Sequence, residues 1–277
     1  MKVLLKASFM LLTSSCNHLF YYPHKELYHR PSELKLNYEE VEIKSTDDVV
    51  LKAWKIPALQ KEKAKTVILQ LHGNAENRST HFISVVWVVE HGIDLVSVDY
   101  RGYNGSTGQA SRGGLVDDVM SAIDWLAKNY PDSKRVIVAQ SIGGSVAIPA
   151  LAKIFEKEGS YKIDGLVIES SFHSYRGIAR MKLASVWLLW PLQWLPWILL
   201  SGTEDPIDYA EKVSLPLLIF HDKKDPVVPY ESGEALYTRL PGGLKSLVSL
   251  DEGQHSAAFY NPQGVPRQQL LHFVESL

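Results

Sequence analysis

Cysteine, unbalanced charge and membrane-length apolar runs are all scarce or missing in this sequence. Cys16 is the only cysteine in 277 residues, so neither an intramolecular disulfide nor a cysteine-based metal cluster can form. The net charge is −2 and there is no long basic run, so the sequence predicts no nucleic-acid partner. It contains no HExxH and no P-loop, and the glycines at 102–108 do not follow the dinucleotide-binding pattern. We therefore expect neither a metal nor an organic cofactor.

The N-terminal stretch MKVLLKASFMLLTSSC has the layout of a secretory signal. Its apolar part is too short to span a bilayer, and small residues precede the cysteine. The last four residues, 13–16, resemble a bacterial lipobox, which implies that residues 1–15 are removed and that Cys16 is diacylated. Asn17 stands where an inner-membrane lipoprotein carries aspartate, which favours the outer membrane, facing the periplasm. Another secretory signal and a cytosolic N-terminus remain alternatives.

The rest of the chain is predicted to be a tether over residues 16–37 and one α/β domain over residues 38–277. Five short apolar runs are too continuous for a sheet with one wet face, and they suit buried parallel strands. These runs are 66–73, 94–102, 135–141, 165–171 and 216–222. The helical pattern at 111–129 lies between two of them, which is typical of βαβ units. The pattern predicts a mostly parallel central sheet with helices on both faces.

An apolar insertion at about 173–205 interrupts this alternation of strands and helices. It holds four of the seven tryptophans of the chain, namely Trp187, Trp190, Trp194 and Trp197. We interpret the insertion as a short helical cap whose tryptophans form a wall of a pocket for an apolar acyl group. The alternative is a buried helix pair that is broken by Pro191 and Pro196.

Ser141 occupies the corner between a predicted strand and a predicted helix. The stretch Ala139-Gln140-Ser141-Ile142-Gly143 fits a nucleophile elbow, usually G-x-S-x-G, with alanine at the first position. Small residues suit this turn because it brings the backbone close to the neighbouring helix. The alternative is a serine that only caps an ordinary helix.

Asp225 and His255 supply partners for such a nucleophile. Asp225 follows the run at 216–222, and His255 follows the last predicted strand, at 245–253. The order Ser, Asp, His is the one expected when all three side chains rise from strand ends of one parallel sheet. Histidine activates the serine by removing its proton, and the carboxylate orients and stabilises the imidazole.

Other acidic and histidine residues near these strand ends are candidates for the same roles. Asp222 is interpreted as a solvated residue, and Glu169 remains an alternative acid. His72 and His221 are not expected to act as the base, because both lie beside backbone turns and not after the last strand.

The stretch LHGNAEN, residues 71–77, follows a strand and opens a helix. Its N–H groups are therefore expected to point towards the carboxyl edge of the sheet. We predict that the backbone N–H groups of Asn74 and Ile142 form an oxyanion hole. The alternative is a simple strand–helix turn.

Six motifs in this order resemble the α/β-hydrolase superfamily over roughly residues 40–277. They are HGN (72–74), DYRGYNGSTG (99–108), AQSIGG (139–144), ESSF (169–172), DPVVP (225–229) and GQH (253–255). More narrowly, they are similar to membrane-associated serine hydrolases, which include depalmitoylases and bacterial lipoproteins. The sequence departs from the usual pattern at Ala139, Asn104 and Pro149 without removing a catalytic atom.

The resemblance implies an α/β-hydrolase fold and hydrolysis of carboxylic esters or acyl thioesters. The expected partners are a small acyl-ester or lipid-like substrate and a membrane, reached through the N-terminal lipid anchor. The chain is expected to be a monomer. Acyl transfer or peptide cleavage by the same three residues, and a non-catalytic envelope protein, are the alternatives.

Overall fold

The computed structural model describes residues 20–60, 65–157, 162–200 and 205–277. Residues 1–15 and Cys16, on which the predicted signal and anchor depend, lie outside the described residues. In chain order the strands are β1 (Tyr22–Pro23), β2 (Glu39–Lys44), β3 (Val50–Ile56), β4 (Thr66–Leu71), β5 (Ala75–Glu76), β6 (Ile93–Val98), β7 (Lys134–Gln140), β8 (Gly165–Glu169), β9 (Leu217–Asp222) and β10 (Lys245–Leu250).

Eight of these strands form one sheet in the order β10-β9-β8-β7-β4-β6-β3-β2. Neighbours from β10 to β6 are parallel, whereas the β2–β3 hairpin joins β6 in antiparallel fashion. The carboxyl ends of the parallel strands therefore meet at one edge of the sheet. This is the edge at which open α/β sheets place their sites.

Helices cover both faces of the sheet, as the sequence predicts. They are α1 (Arg78–Val85), α2 (Arg112–Asn129), α3 (Ile142–Phe155), α4 (Tyr175–Ala184), α5 (Leu195–Leu199), α6 (Pro206–Tyr209), α7 (Tyr230–Arg239) and α8 (Val265–Ser276). Successive residues of β4 point into different cores: Leu69 packs in the core that contains Val119 of α2, and Ile68 in the core that contains Phe273 of α8. Because both faces are buried there, the central strands β4, β6, β7, β8 and β9 are largely apolar without regular alternation.

The cap lies between β8 and α6 and consists of short helical pieces. Helix α4 is followed by a single 3₁₀ turn over Trp190–Leu192 and then by α5. Pro191 and Pro196 stand in the first turns of the last two pieces, where a missing backbone N–H costs little. Among the described residues, no helix combines the length and the apolar character needed to cross a membrane.

Residues 20–28 lie on the domain, in contrast to the tether predicted for residues 16–37. Phe20 and Tyr21 are buried, and the Tyr21 hydroxyl donates a hydrogen bond to the Tyr175 hydroxyl at 3.1 Å. Strand β1 pairs with β5 in parallel register. The aromatic side chains supply the apolar area that fixes this segment, which we call the N-terminal strap.

Candidate active site

Ser141 stands at the tip of the turn between β7 and α3. Its backbone has φ 52° and ψ −117°, a conformation that costs a non-glycine residue free energy. The turn leaves Ser141 only 8% exposed, with its side chain on the carboxyl edge of the sheet. Strain of this kind persists where the surrounding structure fixes the backbone.

Gly143 and Gly144 allow the elbow to pack against neighbouring segments. A Cβ atom on Gly143 would lie 2.4 Å from the carbonyl oxygen of Leu71, and one on Gly144 would lie 2.1 Å from Oγ of Ser171. Neither distance leaves room for a methyl group. Gly143 is therefore required by the close approach of the Leu71 backbone, and Gly144 by the close approach of the Ser171 side chain.

Three residues from separate strand ends form one hydrogen-bonded chain. Nε2 of His255 lies 2.9 Å from Oγ of Ser141, and Nδ1 of His255 lies 2.8 Å from Oδ2 of Asp225. When Nδ1 carries the proton, it donates to the carboxylate, and Nε2 is left to accept from the serine hydroxyl. The structure therefore brings together the three residues that the sequence nominates.

The Asp225 side chain is buried and its second oxygen is held by backbone donors. Oδ1 accepts hydrogen bonds from the N–H groups of Val227 and Val228, at 2.8 and 2.9 Å. Burial opposes ionisation, but the hydrogen bonds from His255 and from the Val228 N–H outweigh it. The pKa of Asp225 consequently lies below its ordinary value, and the group is a carboxylate at neutral pH.

Asp222 differs from the solvated residue that the sequence suggests, because it is only 2% exposed. Its oxygens accept from the N–H groups of Lys224 at 2.7 Å, Glu252 at 2.8 Å and Gln254 at 3.4 Å. Burial raises the pKa of Asp222, and these backbone donors lower it to a net value below the ordinary one. Asp222 thus connects the loop that carries Asp225 with the loop that carries His255.

Glu169, the alternative acid, supports the same loop from the other side. Its buried carboxyl accepts from the side-chain amide of Gln140 at 2.7 Å and from the N–H of Ala258 at 2.6 Å. Burial raises its pKa in spite of these hydrogen bonds. The structure therefore places Glu169 against the backbone three residues after His255, while the ring nitrogens of His255 contact Asp225 and Ser141.

His72 and His221 are bonded within their own loops. Nδ1 of His72 lies 2.7 Å from the Gly73 carbonyl oxygen, and Nε2 of His221 lies 3.0 Å from that of Val228. Both side chains are buried. Their positions suit a role in holding the turns on either side of Ser141.

The predicted oxyanion residues Asn74 and Ile142 line one cavity together with Ser141. The Asn74 side chain is fixed by the N-terminal strap, because its Oδ1 accepts from the N–H of Tyr22 at 3.1 Å. The Tyr103 hydroxyl donates to the carbonyl oxygen of Asn74 at 3.0 Å and also lies 3.1 Å from its Oδ1. Sequence reasoning missed Tyr22 and Tyr103: Tyr22 lies in no recognised motif, and Tyr103 lies in the motif at 99–108 without having been given a role.

The cavity beside Ser141 has a volume of about 380 Å³ and is mainly apolar. Its walls come from the cap, the strap and the loop after Asp225. The residues are Phe20, Tyr22, Asn74, Ser141, Ile142, Phe172, Ile178, Ala179, Lys182, Leu183, Leu189, Leu195, Pro196, Leu199, Leu200, Val227 and Val228. Its size is within the range of pockets for small molecules.

The four cap tryptophans do not line this cavity, which corrects the predicted acyl wall. Trp187, Trp190, Trp194 and Trp197 are 84%, 62%, 56% and 54% exposed, respectively. Leucines of the same segment, Leu189 and Leu195, face the cavity instead. The helical pieces are so short that one side packs on the cavity and the other faces outwards. We call the outward side, defined by these four residues, the tryptophan face.

A strained serine elbow at the carboxyl edge of a mostly parallel sheet, with histidine and aspartate in reach, is the arrangement of α/β-hydrolases. The model of the family described as serine aminopeptidase, S33, matches residues 62–208. That range is just over half of the chain, and the protein therefore belongs to this α/β-hydrolase family.

Similar proteins extend the comparison over most of the chain. The uncharacterized protein YfhR of Escherichia coli K12 is 32% identical over 264 residues, which cover 93% of this chain and 86% of that protein. The lysophosphatidylserine lipase ABHD12 of Xenopus tropicalis is 34% identical over 181 residues, covering 62% of this chain and 46% of that protein. The Pyrococcus furiosus esterase Pf2001 has the same fold, with a TM-score of 0.72 at 23% identity over 93% of this chain and 97% of that chain.

Proposed function

We propose that this protein is a serine hydrolase that cleaves carboxylic esters or acyl thioesters of apolar acids through an acyl-enzyme. The observation that carries the proposal is the hydrogen-bonded chain of Ser141, His255 and Asp225 beside an apolar cavity. The names lysophosphatidylserine lipase and esterase among similar proteins support the same reaction class.

In the first half of the reaction, Oγ of Ser141 attacks the acyl carbon while Nε2 of His255 takes its proton. The carbonyl oxygen becomes an oxyanion, which the N–H groups of Asn74 and Ile142 would stabilise. The Asp225 carboxylate stabilises the imidazolium that has formed. When the tetrahedral intermediate collapses, the bond to the leaving oxygen or sulfur breaks, and that atom takes the proton from Nε2. The acyl group remains bonded to Oγ of Ser141 as an ester.

In the second half, water replaces the leaving group. Nε2 of His255 takes a proton from the water as its oxygen attacks the acyl carbon. Collapse of this second intermediate breaks the bond to Oγ, and Ser141 recovers its proton from His255. The products are the free acid and the enzyme in its starting protonation state.

The loop over residues 71–77, which carries Asn74, offers a test that leaves the three reacting side chains intact. Tyr103→Phe removes the hydroxyl that holds Asn74. We expect kcat for p-nitrophenyl butyrate to fall by about tenfold with little change in KM, since a misplaced donor loses about 1–3 kcal/mol at the transition state only. Tyr38→Phe, at an exposed tyrosine hydroxyl, is the control. An unchanged kcat, or a loss confined to KM, would argue against a positioning role for Tyr103.

The cavity predicts a preference for medium or long acyl chains. Leu189 and Leu195 line it, whereas the neighbouring Leu188 is 67% exposed. In Leu189→Ala/Leu195→Ala, the ratio of kcat/KM for decanoate to that for acetate should fall about tenfold or more, because each methylene kept from water is worth roughly 0.8 kcal/mol. Leu188→Ala is the matched control. The assay uses p-nitrophenyl esters below their aggregation limit, and equal losses on both esters would contradict an acyl-binding role.

Aminopeptidase activity is the second candidate, because the family description favours it. An aminopeptidase must hold the positive α-amino group of its substrate, for which a carboxylate is the natural partner. In the described part of the chain, the side chains around the cavity include Lys182 but no aspartate or glutamate. Charge at the cavity therefore favours the ester hydrolase. A panel of p-nitrophenyl esters, one acyl thioester and aminoacyl anilides distinguishes the two, and cleavage of the anilides alone would overturn the ester proposal.

A further inference from the structure

We propose that the tryptophan face docks this protein onto the surface of a bilayer that contains anionic phospholipids. Trp187, Trp190, Trp194 and Trp197 are each more than half exposed. Contiguous exposed apolar area of this kind marks an interaction surface, since leaving it in water is unfavourable. The proposal goes beyond the hydrolytic reaction and does not depend on it.

The choice of side chain favours a bilayer over a protein groove. Tryptophan combines a large apolar ring with one N–H donor, and it is enriched at the level of lipid headgroups for that reason. The short pieces around Trp190–Leu192 and Leu195–Leu199 suit a segment that lies in the interface.

Charge around the tryptophan face complements an anionic surface. Between Glu169 and Glu204 the sequence has no acidic residue and three basic ones. Arg176 lies with its guanidinium 5.3 Å from the ring centre of Trp197 and pairs with Asp205 and Asp208, so the attraction for anions rests on the other two cations. Arg180 and Lys182 are exposed on the same cap. Each cation near an anionic membrane adds about 1 kcal/mol of attraction.

The same charges argue against a second copy of the chain as the occupant. In a symmetric contact, the tryptophan face of one copy meets the tryptophan face of the other. Arg180 and Lys182 would then lie near their own copies without acidic partners from this segment. Phosphate headgroups supply the negative charge that a second copy lacks.

The cavity beside Ser141 lies next to the tryptophan face, so docking would bring its opening close to the lipid. Leu199 and Lys182 are exposed and also line the cavity of Ser141, so the cavity and the tryptophan face adjoin on the cap. A lipid that leaves the bilayer at this face could reach Ser141 without exposing its whole chain to water. Docking would therefore raise the local concentration of an apolar substrate.

Tryptophan fluorescence of the full-length protein tests the contact directly. Of the other three tryptophans, Trp54 and Trp87 are buried, so the emission accessible to quenchers comes mainly from the face. On phosphatidylglycerol–phosphatidylethanolamine vesicles, we expect a blue shift, protection from acrylamide and quenching by phospholipids brominated near the headgroup end of the chain. Vesicles of phosphatidylcholine alone should give a weaker response, and salt should weaken binding to the anionic vesicles.

Two variants measure how much the tryptophans and the cation each contribute to vesicle binding, in co-sedimentation with the same vesicles. Trp187→Ser/Trp190→Ser should weaken partitioning by about tenfold or more, through loss of buried apolar area. Lys182→Gln should weaken binding to anionic vesicles about fivefold and leave binding to phosphatidylcholine unchanged. Leu244→Ser removes an exposed apolar residue that precedes β10, at the opposite edge of the sheet, and should bind as wild type does. Far-UV circular dichroism and the thermal midpoint check the fold of each variant.

Several results would overturn the proposal. Sedimentation without quenching by brominated lipid would mean that another segment, such as the N-terminus, makes the contact. Protection from acrylamide in the absence of vesicles would mean that another part of the chain or a second copy covers the face. Absence of binding, or binding that survives both variants, would equally exclude a docking role. Substrate turnover is not measured, so failure here is distinct from failure of the proposed reaction.

Discussion

Ser141→Ala is expected to reduce ester hydrolysis by about four to six orders of magnitude, because the change removes the Oγ atom on which the proposed acyl-enzyme forms. The elbow backbone should survive the change, since the N–H of Ser141 donates to the Glu169 carbonyl oxygen and no side-chain atom is needed for that bond. Steady-state kinetics on a short-chain p-nitrophenyl ester measure the loss. Covalent labelling by a fluorophosphonate probe should disappear with it.

Ser276→Ala is the matched control, because its hydroxyl donates only to the Phe273 carbonyl within the closing helix. Circular dichroism spectra of both variants should match that of the wild type. Labelling of Ser141→Ala at some other residue, confirmed by peptide mass spectrometry, would show that the nucleophile has been misassigned.

Asp225→Asn is expected to lower turnover by about four orders of magnitude, as loss of the orienting carboxylate does in hydrolases with an established Ser-His-Asp triad. The amide removes the negative charge beside Nδ1 of His255, so the imidazolium formed during attack is no longer stabilised. It can also favour the wrong imidazole tautomer. Because the pKa of Asp225 lies below its ordinary value, the wild type should keep its carboxylate well into the acid range. Single-turnover kinetics would place the loss in the chemical step.

Asp222→Asn tests whether Asp222 only supports the two loops or acts as the acid of the reaction. Asp222 accepts from backbone N–H groups of two loops, so its loss should lower the free energy of unfolding by about 1–3 kcal/mol and turnover far less than Asp225→Asn does. Its pKa is lowered on folding, so its contribution to stability is present above the ordinary aspartate pKa and fades as pH falls through the folded value. The difference in the free energy of unfolding between wild type and variant, measured in urea, should therefore become smaller at acidic pH. A loss of turnover larger than that of Asp225→Asn would make Asp222 the acid.

The sequence could predict the central sheet and the proximity of Ser141, Asp225 and His255. Both depend on the apolar pattern of the strands and on the rule that parallel strands end at one edge of the sheet. Strands buried on both faces must be continuously apolar, and parallel strands bring their carboxyl ends to one edge. A polar residue directly after such a run therefore lies near others of the same kind. Ser141 directly follows such a run, Asp225 stands three residues after another, and His255 stands five residues after the last parallel strand.

Asp222 and the cap could not be predicted in the same way. An aspartate at a strand end has the same sequence context whether it faces water or the N–H groups of a distant loop, and Glu252 is 30 residues away. In the cap, the tryptophans are spaced three, four and three residues apart, which places them on one side of a helical path with the leucines between them, but this spacing does not say which side is buried. Which of them is buried depends on how α4 and α5 pack above Ser141, and that packing is tertiary.

The N-terminal strap has a consequence for the order in which the chain folds during synthesis. Its residues leave the ribosome before the partners they bind, and Tyr21 must wait for Tyr175, 154 positions later. Contacts this distant in sequence form slowly, because a long loop has to close first. The loop that carries Asn74, which Tyr22 of the strap contacts, is thus completed only after Tyr175 has been made. In refolding experiments, ester hydrolysis should therefore return later than the circular dichroism signal of the sheet and helices.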